Sequence, residues 1–253
     1  MLGSGSGGNC SFFATEKVKV LADAGFSGRE TERRLAGIGE RLESISAILV
    51  THEHSDHVGG LGRLAKKYGI PIYITAATRA ALSPQMVLPK VETIASGQPF
   101  QLADLTIEPF TIPHDAVDPV GYRFTAAGVR IALATDLGYL PENVKHYLRG
   151  CAAMIVESNH DLEMLRSGPY PWHLKQRVMG RTGHLSNTAL CEFLRGSEYD
   201  GEAQTVILAH LSEQNNHPHL ARTEAATALE ARSREGTKLV VSSQDDVSEL
   251  FEF

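Results

Sequence analysis

The sequence predicts an α/β protein in which two mixed sheets lie between helices, as a four-layer αββα sandwich. Short apolar runs typical of strands alternate with helical segments along the chain. Between positions 105 and 134 the runs follow one another without helices, which indicates mixed rather than purely parallel sheets. The 253 residues are 42% hydrophobic and 21% charged, and no linker separates two parts. We therefore expect one globular domain over residues 1–253.

The first predicted elements are a hairpin-like pair of strands at 10–13 and 17–20. The Gly-rich segment before it lacks the Lys-Ser/Thr ending of a phosphate-binding loop, so we interpret it as a tight turn that brings backbone near the site. Ser27 predicts the N-cap of a helix that Gly39 ends. The other predicted strands lie at 47–50, 71–74, 105–110, 120–125, 129–134, 153–156, 205–209 and 238–241, and the other helices at 60–68, 141–149, 187–194 and 220–231.

Composition limits the partners and the location of the protein. The net charge of −6 disfavours a protein that coats long stretches of nucleic acid, and leaves a local contact through a basic patch or bound metal. No run approaches the roughly 18 apolar residues that cross a bilayer, and the first residues do not form a secretory signal. The 3 cysteines are far apart in sequence, so we expect a reducing cytoplasm and no disulfide framework.

The densest group of ionisable residues directly follows the predicted strand at 47–50. His52 and His54 are two apart on extended backbone, so both imidazoles project to the same side. The chain then turns, and we expect Asp56 and His57 to face a second point close by. Imidazole and carboxylate together suit Zn²⁺, Mn²⁺ or Fe²⁺. The segment predicts a metal site rather than a surface cluster of histidines.

Three further candidate ligands follow other strands. His114, Asp136 and His210 each come directly after an apolar run. This placement brings them to one edge of a sheet, where the active sites of open sheets collect. Each residue taken alone is equally a plain loop residue, and their shared placement is what favours ligands.

The residues resemble the signature of metallo-β-lactamase-fold hydrolases, an HxHxDH motif followed by a His, an Asp and a His, over nearly the whole chain. The resemblance implies two divalent metal ions, zinc or manganese with iron as a third candidate, and a metal-bridging hydroxide that attacks a phosphodiester. It also implies the ligands: His52, His54 and His114 for metal one, Asp56, His57 and His210 for metal two, and Asp136 as the bridge.

Particular residues indicate which branch of this fold the chain resembles. Flavodiiron oxygen reductases carry Glu where this chain has His54, and lactamases typically lack a bridge such as Asp136. His184 resembles the histidine with which RNase Z and phosphonate-pathway cyclic phosphodiesterases protonate the leaving oxygen. The alternative is a histidine at a helix N-terminus, since Ser186 or Asn187 can cap the next helix.

Longer motifs resemble the YycJ (also called WalJ) subfamily, whose members are regarded as 5′→3′ DNA exonucleases. The matching segments lie at 4–10, 157–161, 168–175, 183–187 and 210–216, and Gln214 stands where Glu is expected. The sequence has no β-CASP insertion, which excludes the larger RNA-processing nucleases of this fold. The resemblance implies a DNA end as the partner, with Asp56 and His184 as catalytic residues. A homo-oligomer stays open.

The segment before His184 suggests how such an end is bound. Lys175, Arg177 and Arg181 lie beside Trp172, and basic groups beside aromatic rings suit phosphates and a stacked base. The alternative is a solvated helix face. Predicted contacts in the same cleft are Asn159 and His160.

Asp23 and Asp115 are the predicted acceptors for the second ring nitrogen of ligand imidazoles, although Asp23 equally fits a turn. Two other functions stay open. One is a small-molecule hydrolase acting on a cyclic phosphodiester or a thioester, and the other is a regulatory protein that retains its metals.

Overall fold

The computed structural model describes residues 1–232 and 236–253. They form two compact units. The first contains Met1–Pro109, Ala116–Val120 and Ser243–Phe253, and the second contains Phe110–Asp115 and Gly121–Ser242. Among the helices described, none has the length and apolarity that crossing a membrane requires.

The first unit is built on a five-stranded sheet. Its strands lie in chain order: β1 (Ser11–Ala14), β2 (Lys19–Ala22), β3 (Ala47–Leu49), β4 (Ile72–Thr75) and β5 (Val91–Ile94). The predicted hairpin is confirmed, because β1 and β2 are antiparallel with Phe13 opposite Val20. The later neighbours are parallel, and β3 is buried along its whole length, as expected of a strand covered on both faces.

Short helices and a second hairpin also belong to the first unit, apart from the last two residues of the second strand of that hairpin. They are α1 (Gly28–Gly37), a 3-10 helix (Leu42–Ser44), α2 (Ser55–Val58), α3 (Leu61–Tyr68), α4 (Ala76–Ala81), and the antiparallel strands β6 (Phe100–Leu102) and β7 (Leu105–Thr111). The predicted N-cap of α1 is confirmed, since the Ser27 side chain accepts from the Glu30 backbone N–H. Gly69, with φ +65°, ends α3. The helices α2 and α4 were not predicted because they are too short to show a helical period, and the strands β5 and β6 were not predicted because polar residues interrupt them.

The sheet of the second unit has strands in the order β12, β11, β10, β9, β8. They are β8 (Val120–Ala126), β9 (Val129–Ala134), β10 (Ala153–Glu157), β11 (Thr205–Ala209) and β12 (Lys238–Val241). β8 is antiparallel to β9, and the other neighbours are parallel. The carboxyl ends of β9, β10 and β11 therefore meet at one edge of the sheet.

In the described part of the second unit there are five helices: α5 (Glu142–Leu148), α6 (Leu162–Ser167), α7 (Trp172–Val178), α8 (Asn187–Arg195) and α9 (Pro218–Glu230). Leu190 and Leu194 of α8 are fully buried in one core cluster with Ala225 of α9. The N-cap of α8 is Ser186, whose side chain accepts from the Ala189 backbone N–H. Each unit thus combines strands with helices, and the predicted α/β class is confirmed.

Candidate functional site

In the first unit, the predicted ligands lie directly after β3. His52 and His57 are fully buried. The His52 ring centroid is 4.6 Å from that of His54 and 4.0 Å from that of His57. The short helix α2 then brings Asp56 Oδ2 to 3.4 Å from His57 Nε2. One segment therefore gathers three imidazoles and a carboxylate.

Asp23 orients two of these imidazoles. Its Oδ2 lies 2.7 Å from His57 Nδ1, so the ring proton of His57 lies on Nδ1. The Thr51 hydroxyl donates its only hydrogen to Asp23 and therefore accepts from His52 Nδ1, at 3.0 Å. Both rings thus present the Nε2 lone pair on the side away from Asp23, as carboxylate–histidine–metal arrangements do.

In the second unit, Asp136, Glu157 and His210 follow or end the neighbouring strands β9, β10 and β11. His210 Nδ1 lies 3.3 Å from Asp136 Oδ1 and 3.0 Å from Glu157 Oε1. His114, after β7, places Nε2 4.0 Å from Asp136 Oδ1. Its Nδ1 lies 3.3 Å from the Gly183 carbonyl oxygen. The parallel strands thus assemble Asp136, Glu157 and His210 at their shared edge.

Three of the predicted site residues have left-handed backbone. The φ angles are +64° at Asp23, +59° at Asp136 and +55° at His210. Elsewhere in the described residues, positive φ at non-glycine positions occurs at Ala103 and Ala127, in the turns of two hairpins. This conformation costs about 1–2 kcal/mol outside glycine. Its concentration at these three positions favours a functional role over a plain loop.

Glu157 is a site residue that the sequence analysis missed. Its side chain is fully buried, and Oε1 contacts Nδ1 of His184 at 2.7 Å and of His210 at 3.0 Å. Oε2 accepts from the backbone N–H groups of Leu137 and Leu185. One sequence feature could have indicated Glu157: an acidic residue that ends an apolar strand. A carboxylate is buried in such a place only when it is hydrogen-bonded or paired, which is typical of a site residue.

The pKa values of the neighbouring imidazoles His114 and His184 are shifted in opposite directions. Burial lowers the pKa of His114, which favours the neutral form that binds metal ions. Burial also opposes a charged His184, but the Glu157 carboxylate outweighs it and raises the pKa of His184 above 6.5. The protonated form that a general acid needs is therefore favoured at His184.

The donor chemistry of both units fits divalent metal ions. Imidazole nitrogen and carboxylate oxygen are the donors that Zn²⁺ and Mn²⁺ accept. In the second unit, Asp136 and His210 belong to a cluster of four residues that each place one polar atom within 4.8 Å of the others. The other two members, Glu157 and His184, bond to each other. Since Nδ1 of His210 contacts Glu157, its coordinating lone pair lies on Nε2.

The predicted basic patch is only partly present, because Lys175 is buried. Its ammonium donates to the carbonyl oxygens of Arg166 and Gly168, at 2.6 and 2.7 Å. The long lysine stem lets the charge turn inward and satisfy a loop between α6 and α7. Arg177 and Arg181 are exposed, as predicted. The predicted contact of Lys175 with substrate is therefore corrected: Lys175 holds the loop between α6 and α7.

The predicted role of Asp115 also differs from the structure. His114 Nδ1 faces the Gly183 carbonyl, whereas Asp115 Oδ1 lies 3.4 Å from Nε2 on the other side of the ring. Asp115 Oδ2 pairs with Arg177 Nε. A backbone carbonyl thus replaces Asp115 as the acceptor, because Asp115 turns toward the guanidinium.

Asn159 and His160 are buried, unlike the predicted cleft contacts. The Asn159 side chain donates to the His210 carbonyl oxygen at 2.8 Å. The His160 carbonyl accepts from the Asn187 backbone N–H, and burial lowers the pKa of the His160 imidazole to about 4. These contacts indicate that Asn159 holds the segment of His210 and that His160 holds the start of α8, rather than that either residue contacts substrate.

Comparison with known proteins identifies the family. Residues 18–211 match the family described as Beta-lactamase superfamily domain. The chain is 38% identical over 237 residues to exodeoxyribonuclease YycJ of Bacillus anthracis, which covers 92% of this chain and 89% of the relative. It is 39% identical over 234 residues to exodeoxyribonuclease WalJ of Streptococcus pneumoniae, covering 90% and 87%. The chain belongs to the metallo-β-lactamase superfamily. Within it, the relatives confirm the predicted YycJ/WalJ family.

Solved structures show the same fold. The metallo-β-lactamase fold protein YhfI of Bacillus subtilis has a TM-score of 0.73 at 19% identity and covers 96% of this chain and 94% of its own. The short form of human tRNase Z has a TM-score of 0.64 at 16% identity, over 98% and 97%. The predicted metallo-β-lactamase sandwich is thereby confirmed. The single domain over residues 1–253 stays a prediction.

Glu157→Gln tests the cause of the His184 charge. We expect the pKa of His184 to fall, because the amide no longer favours the imidazolium. Because the pKa of His184 is raised, its ion pair stabilises the fold fully below pH 6.5, and this stabilisation is lost as pH rises through the folded-state pKa of His184. Because the pKa of Glu157 is lowered, its stabilisation is present above pH 4.5 and is lost as pH falls through the folded-state pKa of Glu157. The destabilisation by the mutation should therefore be largest between these limits.

NMR titration of the metal-free parent and variant gives the His184 pKa directly, and denaturant unfolding at several pH values gives the stability difference. An unchanged His184 pKa would show that Glu157 does not set its charge.

Proposed function

We propose that this chain is a divalent-metal-dependent phosphodiesterase that degrades DNA from its ends, as a 5′→3′ exonuclease. The substrate is supported by similarity over 92% and 90% of the chain to two relatives named exodeoxyribonucleases. The observation that carries the chemistry is the buried Glu157, which contacts both His184 and His210.

By the family signature, His52, His54 and His114 would hold metal one, Asp56, His57 and His210 would hold metal two, and Asp136 would serve both. When bound, the two ions would promote ionisation of the attacking water near neutral pH and withdraw charge from the phosphate. Asp23 orients His57 directly and His52 through Thr51, so that both rings are fixed before an ion arrives.

His184 is the proposed general acid. Its Nδ1 lies 2.7 Å from Glu157 Oε1, so the proton that it delivers to the leaving deoxyribose oxygen is the one on Nε2. Because Glu157 also contacts His210, one buried carboxylate orients a proposed ligand and the proposed acid together.

The surface beside His184 supports binding of a nucleic-acid end. The His184 backbone N–H donates to the Val178 carbonyl at the end of α7, at 2.9 Å. Trp172, at the start of α7, is 65% exposed. Arg177 and Arg181 are exposed on the same segment, so phosphates can meet guanidinium groups while a base stacks on the indole.

Trp172 is the only tryptophan of the chain, so its fluorescence reports on this surface alone. We expect single-stranded DNA to quench it, and we expect Arg177→Ala with Arg181→Ala to weaken DNA binding. Each lost phosphate contact should lower the slope of log affinity against log salt by about 0.7–0.9. Hydrolysis of bis-p-nitrophenyl phosphate, which lacks neighbouring phosphates, should change little.

The matched control is Arg41→Ala with Arg63→Ala, which removes the same charge from exposed positions of the first unit. Equal salt slopes for the two double variants would show that Arg177 and Arg181 do not contact the phosphates of DNA. A small-molecule hydrolase, the alternative function, predicts no quenching by DNA. Location in the cytoplasm and a homo-oligomer remain proposals from the sequence.

A further inference from the structure

The Gly-rich loop before β1 places the buried carboxamide of Asn9 against two proposed ligands of metal two. Asn9 Nδ2 lies 3.1 Å from Asp56 Oδ2 and 3.0 Å from His57 Nε2. The Asn9 backbone N–H donates to the Asp56 carbonyl oxygen at 2.7 Å. Main chain and side chain of one residue thus both hold Asp56.

The surroundings of Asn9 fix which end of its carboxamide faces these ligands. Oδ1 accepts from the Gly5 backbone N–H and the Ser4 hydroxyl, each at 3.0 Å. A backbone N–H only donates, so this end is the oxygen, and the NH₂ group faces the ligands as a donor. His57 Nδ1 bonds Asp23 at 2.7 Å, so His57 Nε2 presents its lone pair to Asn9.

The loop that carries Asn9 is itself anchored. Gln244 Oε1 accepts from the Gly7 backbone N–H at 2.7 Å, and Gln244 Nε2 donates to the Gly8 carbonyl at 3.0 Å. A Cβ at Gly8 would lie 2.8 Å from the Phe26 ring. The φ of Gly8, +156°, is also one that residues other than glycine rarely adopt. The backbone of the loop is therefore held in a path that delivers Asn9 to its site.

We infer that Asn9 is a positioning residue for metal two. Its N–H donor fixes the plane of the Asp56 carboxylate, and hydrogen bonds to a ligating carboxylate typically affect metal affinity by about 10- to 100-fold. In the metal-free protein, the same NH₂ group also contacts Nε2 of His57. That bond would give way to a metal ion, so the effect on metal affinity rests on the contact with Asp56. The inference rests on the proposed metal function of Asp56 and His57.

The test is calorimetric titration of the metal-free full chain with Zn²⁺, repeated with Mn²⁺. Asn9→Ala should weaken one of two binding steps by about 10- to 100-fold and leave the other unchanged. Asn9→Ser should do the same, because its hydroxyl is one bond shorter than the carboxamide and loses the contact with Asp56.

Ser4→Ala is the matched control, because it removes a bond on the Oδ1 side and keeps the NH₂ group. It should leave both metal affinities at the parent values. A merely structural role predicts lower melting temperatures of the metal-free variants with unchanged metal affinities, and that result would overturn the inference. Fewer than two ions in the parent would instead contradict the proposed function, and the inference with it.

Discussion

Asp136→Ala should reduce hydrolysis of DNA and of bis-p-nitrophenyl phosphate to background, and the variant should retain fewer than two metal ions per chain. Asp136 is 2% exposed and its Oδ1 lies 3.3 Å from His210 Nδ1, at the end of β9. A carboxylate proposed to bridge two cations lowers their mutual repulsion, so its loss affects both ions.

Metal analysis after gel filtration and turnover on both substrates check this result. Asp136→Asn is the matched variant, because Asn tolerates the φ of +59° and keeps the shape while removing the charge. It should lose metal as well. Two ions per chain with parental turnover in Asp136→Ala would contradict the bridging role.

His184→Ala should keep its metal ions and lose about 10²- to 10⁴-fold in turnover on DNA, the range of general acid assistance. A deoxyribose oxygen is a poor leaving group and needs the proton, whereas p-nitrophenolate leaves readily without one. The loss on bis-p-nitrophenyl phosphate should therefore be much smaller. Glu157→Gln should show the same dependence on the leaving group in weaker form, because it alters the charge of His184 but leaves the imidazole.

The control for His184→Ala is Ser186→Ala, which removes the N-cap of α8. Loss of a cap typically costs about 1 kcal/mol, so this variant should melt at a lower temperature and keep the parental ratio of the two substrates. If His184→Ala slows both substrates by the same factor, or loses a metal ion, His184 is not the general acid.

Long apolar runs allowed much of the fold to be predicted from sequence. The strands β9, β11 and β12 have the predicted bounds, since each is an apolar run. The helices α6 and α7 were missed, because their six or seven residues show no clear helical period, whereas the equally short α5 was predicted from the proline at its start, Pro141.

The candidate site, like the fold, could be predicted only in part. Placement of Asp136 and His210 at one edge could be predicted, because parallel strands bring their carboxyl ends together. The partners of Glu157 could not, since His184 and His210 are 27 and 53 residues away along the chain. Nor does sequence show which way a long side chain turns, which is why Lys175 was misjudged.

The most direct test is digestion of linear DNA labelled at the 5′ end or at the 3′ end, by the purified chain with Mn²⁺ or Zn²⁺. We expect early release of the 5′ label as short products, progressive shortening toward the 3′ label, and no cleavage of circular DNA. Prior removal of metal by a chelator should stop the reaction, and added metal should restore it. Intact linear DNA in the presence of metal, together with rapid hydrolysis of a thioester or cyclic phosphodiester, would contradict the proposed function.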